Sequence, residues 1–244
     1  NYQAAPGRFL LRGGLRAGRF LVENGRTITL QRNAAVEESR LAAHFLSSVL
    51  AATLRQRGLI VLHANAAVTP CGAVVISGES GAGKSTTLAA LLARGCSMLA
   101  DDITVLRMGK DNIVKVVPGL SKLNLCEDAA YRLGHNVEEL PRNLLRRIKV
   151  VVPAKNRLVT KPAPLDSIYL LKKSANKALH VTMLNGADKF AAVQECIYGP
   201  LFQEEHSSRF DMLAAIANQA TIYRLERPAS HWSVDEIAGV ICHD

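Results

Sequence analysis

Aromatic side chains are scarce, at 5% of the 244 residues, and tryptophan occurs once. No stretch interleaves aromatic with basic residues as single-strand binders do, so nucleic acid is disfavoured as a partner. Long apolar runs are also missing. Nothing approaches the roughly 18 residues that a membrane span requires, and no membrane partner is expected. The five cysteines, Cys71, Cys96, Cys126, Cys196 and Cys242, include no C-x-x-C pair and are odd in number. Their scatter predicts reduced, structural thiols in a cytoplasmic setting. The opening NYQAAPGRFLLRGG shows neither a signal-peptide core nor a cleavage site, and Asn1 in place of Met predicts that residues precede it. Internal repeats, low-complexity tracts and linkers long enough to separate domains are absent as well.

Positive charge is in excess, with a formal net charge of +9, which calls for an acidic partner such as nucleotide phosphates. The most informative stretch is Gly78-Glu79-Ser80-Gly81-Ala82-Gly83-Lys84-Ser85, the pattern G-x-x-x-x-G-K-S. Glycines let backbone N–H groups turn inward around phosphate oxygens, Lys84 reaches the terminal phosphates, and the Ser85 hydroxyl ligates magnesium. The apolar run Ala73–Ser77 before it reads as a buried strand. Thr86 to Arg94 after it has helical spacing and stops at Gly95. Strand, loop and helix in that order aim a helix N-terminus at the anion.

Before the loop, Phe20–Val22 and Thr27–Leu30 flank Asn24-Gly25 and predict a hairpin. Ala34 to Gln56 is expected to be one amphipathic helix, with Val36, Leu41, Phe45, Leu46, Val49, Leu50 and Leu54 on its apolar face, ending near Gly58. Leu59 to Val68 reads as a strand turning through Thr69-Pro70-Cys71-Gly72 into the strand of the loop. If Val68 pairs with Ala73, regular antiparallel register puts His63 opposite Gly78. After the loop helix, Cys96 to Ala100 is an apolar strand ending in Asp101-Asp102. A carboxylate at such a strand end beside a phosphate loop is how phosphoryl-transferring proteins hold magnesium. With neighbouring side chains on opposite faces of an extended segment, one Asp can serve the metal while the other approaches an acceptor hydroxyl or the histidine.

Ile103–Arg107 and Ile113–Val117 predict a second hairpin, and Glu127 to Leu133 a short helix. The basic run Arg142, Arg146, Arg147, Lys149, Lys155, Arg157 and Lys161 is expected to be a solvated face, with one or two cations available to a transferring phosphoryl group. Ile168–Leu171 and Thr221–Leu225 read as strands and Leu201 to Ala220 as a helix. Ser233-Val234-Asp235-Glu236 reads as a capping box opening the last helix.

Taken together, LHANAAV with His63, ISGESGAGKS and GCSMLADD resemble the C-terminal catalytic domain of HPr kinase/phosphorylase, closely over Leu59 to Leu106 and more loosely to the C-terminus. The resemblance is greatest to the short HPr-kinase-related proteins, some of which phosphorylate precursors of lasso peptides. Thr86 stands where the parent family usually has Glu, and Val117-Pro118-Gly119-Leu120 replaces its E-[IV]-R-G-x-G signature. The 58 residues before Leu59 hold no counterpart of the parent's long N-terminal domain. The resemblance implies an α/β fold: a phosphate-loop kinase core of the HPr-kinase/PEP-carboxykinase-like type with a mixed sheet over 59–244, preceded by a small hairpin and helix over 1–58. It implies ATP and Mg2+, with Gly78 to Thr86 on the nucleotide, and Lys84, His63, Asp101 and Asp102 as catalytic residues. Ser85 and Asp102 are the expected metal ligands, with the base left open between Asp101 and Asp102. The implied activity is serine phosphorylation of a peptide or small protein such as a lasso-type precursor, in a possible homo-oligomer. The alternatives are HPr kinase/phosphorylase proper and a non-catalytic nucleotide-binding module.

Overall fold

The structure, a computed structural model, describes residues 1–13, 18–34, 36–120, 122–143, 148–153, 158–200 and 206–242. Arg146, Arg147, Lys155 and Arg157 of the basic run, and 201–205 of the expected helix, lie outside them.

The N-terminal segment forms more than the expected hairpin. Strands β1 (Tyr2–Ala5), β2 (Arg8–Arg12), β3 (Arg19–Glu23) and β4 (Thr27–Gln31) make a four-stranded antiparallel meander. The Asn24-Gly25 turn holds both residues at positive φ, 52° and 61°, and Arg26 N–H donates to Glu23 O at 3.0 Å. That backbone pair is the one an Asn-Gly hairpin favours. Alternation puts Phe9, Leu11, Phe20 and Val22 on one face, over Leu41, Val49 and Ala52 of the following helix. The helix runs as α1 (Glu38–His44), a π turn (Phe45–Val49) and α2 (Leu50–Gln56). A π turn carries an extra residue, and Phe45 and Leu46, expected on the apolar face, are exposed.

The remaining strands are β5 (Ile60–Leu62), β6 (Ala64–Thr69), β7 (Gly72–Gly78), β8 (Ser97–Ala100), β9 (Thr104–Met108), β10 (Val114–Val117), β11 (Lys122–Cys126), β12 (Lys149–Pro153), β13 (Ala163–Ser174), β14 (His180–Met183) and β15 (Thr221–Pro228). Nine of them form one mixed sheet with the path β5-β9-β10-β13-β7-β6-β8, and β15 and then β14 branch from β13. β11 and β12 pair separately, with β12 inside the basic run. The helices are α3 (Lys84–Ala93), α4 (Glu127–Arg132), α5 (Gly186–Glu195), α6 (His206–Gln219) and α7 (Val234–Cys242).

Both faces of the sheet are covered, which is why β7 is apolar without a break from Ala73 to Ile76. On β7, Val74 and Ile76 join Leu88 and Leu91 of α3 and Ile237 and Ile241 of α7, while Ala73 and Val75 turn to Val193 of α5 and Ile216 of α6. Cys96 and Cys242, far apart in sequence, bring their sulfurs to 3.9 Å where α7 crosses α3's end of the sheet. Among the described residues, no helix is long and apolar enough to cross a membrane.

Two expectations give way to the observed pairing. Leu59 to Val68 is two strands, because β5 pairs with β9 whereas β6 pairs with β7 and β8, so His63 sits at the break and not within a strand. The capping box does not form. Ser233 precedes α7, but its Oγ has no hydrogen-bond partner among the described residues, and Glu236 lies 3.7 Å from His231.

Candidate active site

The site forms at one end of β7, where the chain must leave the sheet in a tight turn. Gly78, Gly81 and Gly83 take φ of 145°, 81° and 111°. At Gly78 the close approach is as demanding as the dihedral, since a Cβ there would sit 2.2 Å from Leu171 O on β13. The loop then delivers Lys84 and Ser85 as the first residues of α3. Arg227, from β15, donates from Nε to Ala82 O at 2.6 Å and pins the loop from the other side.

Lys84 is buried, and its ammonium donates to Gly78 O at 2.7 Å and Glu79 O at 3.2 Å, both carbonyls of the loop. It also lies 3.3 Å from His63 Nε2. The other ring nitrogen, Nδ1, is 3.2 Å from the Asp102 carbonyl and 3.6 Å from its carboxylate Oδ1. A carbonyl oxygen only accepts, so Nδ1 carries a proton and Nε2 is free to accept from Lys84. Register places the histidine: the pairing Val68↔Ala73 continues to Ala64↔Ser77, which brings His63 beside Gly78, and Ser77 Oγ donates to His63 O. The Tyr198 ring packs at 5.4 Å from the imidazole.

The two aspartates divide. Asp101 turns inward, 9% exposed, and its Oδ1 accepts from Ser85 Oγ at 3.2 Å. Its Oδ2 accepts from the backbone and side-chain N–H groups of Asn124 at 2.8 and 2.9 Å. Burial pushes the Asp101 carboxyl above the usual carboxylate range, with the nearby Asp102 charge adding to this; the Asn124 bonds and Lys149 oppose it. Asp102 adopts a left-handed backbone, φ 70°, and turns a half-exposed carboxylate toward His63. The extended geometry expected for the pair does not hold, because β8 ends at Ala100 and Asp102 is left-handed. Ser85 bonds to Asp101, while Asp102 turns to His63.

Three asparagines support the site, one within LHANAAV and two outside any motif. Asn65, fully buried on β6, donates to Ser85 Oγ at 3.3 Å and accepts from Asp102 N–H at 3.0 Å, fixing both at once. Asn143 Nδ2 donates to Asn124 Oδ1 at 2.6 Å and so orients that amide. In sequence, the only signal is a polar Asn within the otherwise apolar LHANAAV; Asn124 and Asn143 carry none. Of the described cations in the basic run, Lys149 acts on Asp101, Arg142 pairs with Glu127, and Lys161 is exposed.

Ser85 Oγ and the Asp101 carboxylate are hard oxygen donors side by side, suited to a magnesium ion that takes one or two protein ligands and fills its shell with water and phosphate. No cluster of three His, Cys, Asp or Glu ligands occurs among the described residues. Fold and site together define a mixed α/β protein with a glycine loop, a buried lysine and a histidine–aspartate pair at one sheet end. No family model matches the chain, and no curated protein does. Among solved structures it is similar to the Hpr(Ser) kinase/phosphatase from Coxiella burnetii, at 13% identity over 75% of this chain and 91% of that chain, with a TM-score of 0.36. So slight an overlap carries no argument about the site, which stands on its own geometry.

Proposed function

We propose that the chain is a Mg-ATP-dependent kinase that transfers a phosphoryl group to a serine hydroxyl of a peptide or small protein. The supporting observation is the series Lys84–His63–Asp102, at 3.3 and 3.6 Å, beside the Ser85–Asp101 pair. A module that only bound nucleotide would need the loop, Lys84 and Ser85, but would have no use for a histidine holding a second carboxylate at the lysine.

The backbone N–H groups of the loop bind the phosphate chain, and Lys84 exchanges its loop carbonyls for the outer phosphates. Magnesium, held by Ser85 and Asp101, would offset the phosphate charge there. Asp102 is half-exposed beside His63, which supports reading it as the base that takes the hydroxyl proton. His63 orients it, and the Nδ1 proton steadies the carboxylate. Phosphoryl transfer asks for positioning and charge neutralisation more than for covalent chemistry, and the side chains present suit that demand. The sequence resemblance to the short HPr-kinase-related proteins favours a ribosomally made precursor as the acceptor class.

The test is incubation with labelled ATP and serine-containing peptides, followed by detection of phosphoserine. Asp102→Asn should lower transfer by about 100-fold or more, the contribution of a positioned base, while ATP affinity changes little. Undiminished transfer in that variant would remove Asp102 as base. ATP binding with no transfer to any hydroxyl would leave a binding module.

A further inference from the structure

A second recess opens against the first turn of α3. One wall is Gly83, Thr86 and Thr87, and the other is Arg227, Trp232 and Ser233. Two features of this second wall are unaccounted for by the fold. Ser233 is 3% exposed, yet its Oγ has no hydrogen-bond partner among the described residues. A buried, unpaired hydroxyl is costly, and at a position preceding a helix it would ordinarily cap that helix. Next to it, the one tryptophan of the chain packs on the core but is only partly buried. The Arg132 guanidinium lies 5.0 Å from the ring centroid. Arg227 ties the wall to the loop through Ala82 O and to its own strand through Pro228 O.

The direction of a phosphate chain in the loop gives the recess a role. Lys84 and His63 mark the end where the outer phosphates lie, and the loop backbone holds the inner ones. The phosphate bearing the nucleoside therefore leaves across the first turn of α3, over Thr86 and Thr87, which is where the recess begins. A base and sugar need an apolar surface to lie on and a few convergent polar atoms. The indole offers the first and Ser233 Oγ the second.

We propose that this recess is the nucleoside pocket of the loop, with Trp232 as the wall for the base or sugar and Ser233 Oγ as its hydrogen-bonding contact. The proposal rests on the reading of Gly78 to Ser85 as a phosphate-binding loop, and the test separates the two. Trp232 is the sole tryptophan, so its emission reports this wall alone. The full chain is titrated with Mg-ATP and, separately, with Mg-tripolyphosphate, following both emission and heat of binding. Both ligands should bind, and only ATP should change the emission. Ser233→Ala should weaken ATP about fivefold, the loss of one hydrogen bond, and Ser233→Val, which adds bulk to the recess, should weaken it further. Neither variant should alter tripolyphosphate affinity, which also serves as the check that the loop remains folded. ATP binding that leaves Trp232 emission unchanged, or an ATP-to-tripolyphosphate affinity ratio that neither substitution moves, would place the nucleoside elsewhere and overturn the proposal. Failure of both ligands to bind would overturn the loop reading and the proposal with it.

Discussion

Asp101 is the side chain where stability and activity pull apart most plainly. Its carboxylate is surrounded by Ser85, Asn124 and the sheet end, and burial raises its pKa against two opposing hydrogen bonds from Asn124. A carboxyl raised in the folded state favours its protonated form there. Its contribution to stability is thus fully present in acid, below the unfolded pKa, and is lost as pH rises through the folded one. In the metal-free protein, ionising Asp101 therefore costs stability, and a bound cation would relieve that cost. Asp101→Asn keeps the acceptor for Asn124 and presents an amide to Ser85 Oγ. Without ligand, we expect it to melt about 2–4 °C higher near neutral pH, a gain of the order of 1 kcal/mol in a chain of this length. The gain should vanish in acid, where Asp101 in the parent is itself protonated, and phosphotransfer should be lost at every pH. Melting curves of both proteins across pH check the sign; a lower midpoint for the variant near neutrality would show that the anion stabilises the site as it stands. Stabilisation gained by removing a buried charge is a common trade where that charge would serve a ligand.

At the scale of elements, the sheet forks at β13, and one glutamine holds the fork. The start of β13 pairs with β10 through only Lys115↔Pro164 and Val116↔Ala163, because Pro164 has no N–H to give and the register to β7 shifts between Leu165 and Ser167. Beyond that point β15 takes over the same side of β13. Gln219, the last residue of α6, fills the gap: Oε1 accepts from Val114 N–H at 2.7 Å, and Nε2 donates to Val114 O at 2.9 Å and Leu165 O at 2.7 Å. Gln219→Ala should cost about 3 kcal/mol, near 1 kcal/mol for each bond, read as a lower denaturation midpoint in urea at unchanged slope. A loss under roughly 0.5 kcal/mol would mean that water replaces the side chain. Nothing in the sequence announces this. A glutamine at a helix end reads as surface, and its strand partners are over fifty residues away. By contrast, β7, the glycine loop and α3 were legible, because a strand buried on both faces is apolar throughout and the glycines occupy backbone that other residues avoid. The β6–β7 register followed from one turn, and with it the position of His63. What stayed hidden depends on distant pairing. β1 is exposed along its whole length and shows no alternation, the break at His63 arises from β9 and β8 competing for different halves of one apolar run, and the inward turn of Asp101 is set by Asn124 on β11.

At the scale of the whole molecule, the buried apolar residues fall into three clusters, and their membership follows the chain. Phe9 to Ala52 supply one, and the other two draw only on residues from Ile60 onward, on either face of the large sheet. The first cluster shares no residue with the others. Within it, Gln56 accepts from Gly25 N–H at 2.6 Å and Arg57 donates to Gly25 O at 2.6 Å, tying the meander to its helix; toward the rest of the chain α2 packs on β5 and the buried Arg55 donates to Gly199 O at 3.2 Å. Every side chain placed at the candidate site, from His63 to Asn143, and both walls of the recess lie beyond Leu59. A chain shortened to begin at Leu59 therefore loses a sheet and a helix but none of the groups that would meet ATP. It should fold with a far-ultraviolet spectrum of mixed α/β type and melt lower than the full chain, since α2 no longer covers β5. Saturating Mg-ATP should raise its unfolding free energy, read from urea denaturation, by as much as it raises the parent's, because that gain depends on affinity and free ligand concentration. An unfolded product would make residues 1–58 belong to one indivisible core. A folded product with no shift from ATP, beside a parent that shows one, would mean that the N-terminal meander and its helix hold the site in shape through Arg55 and Gly199, next to Tyr198 and thus to His63.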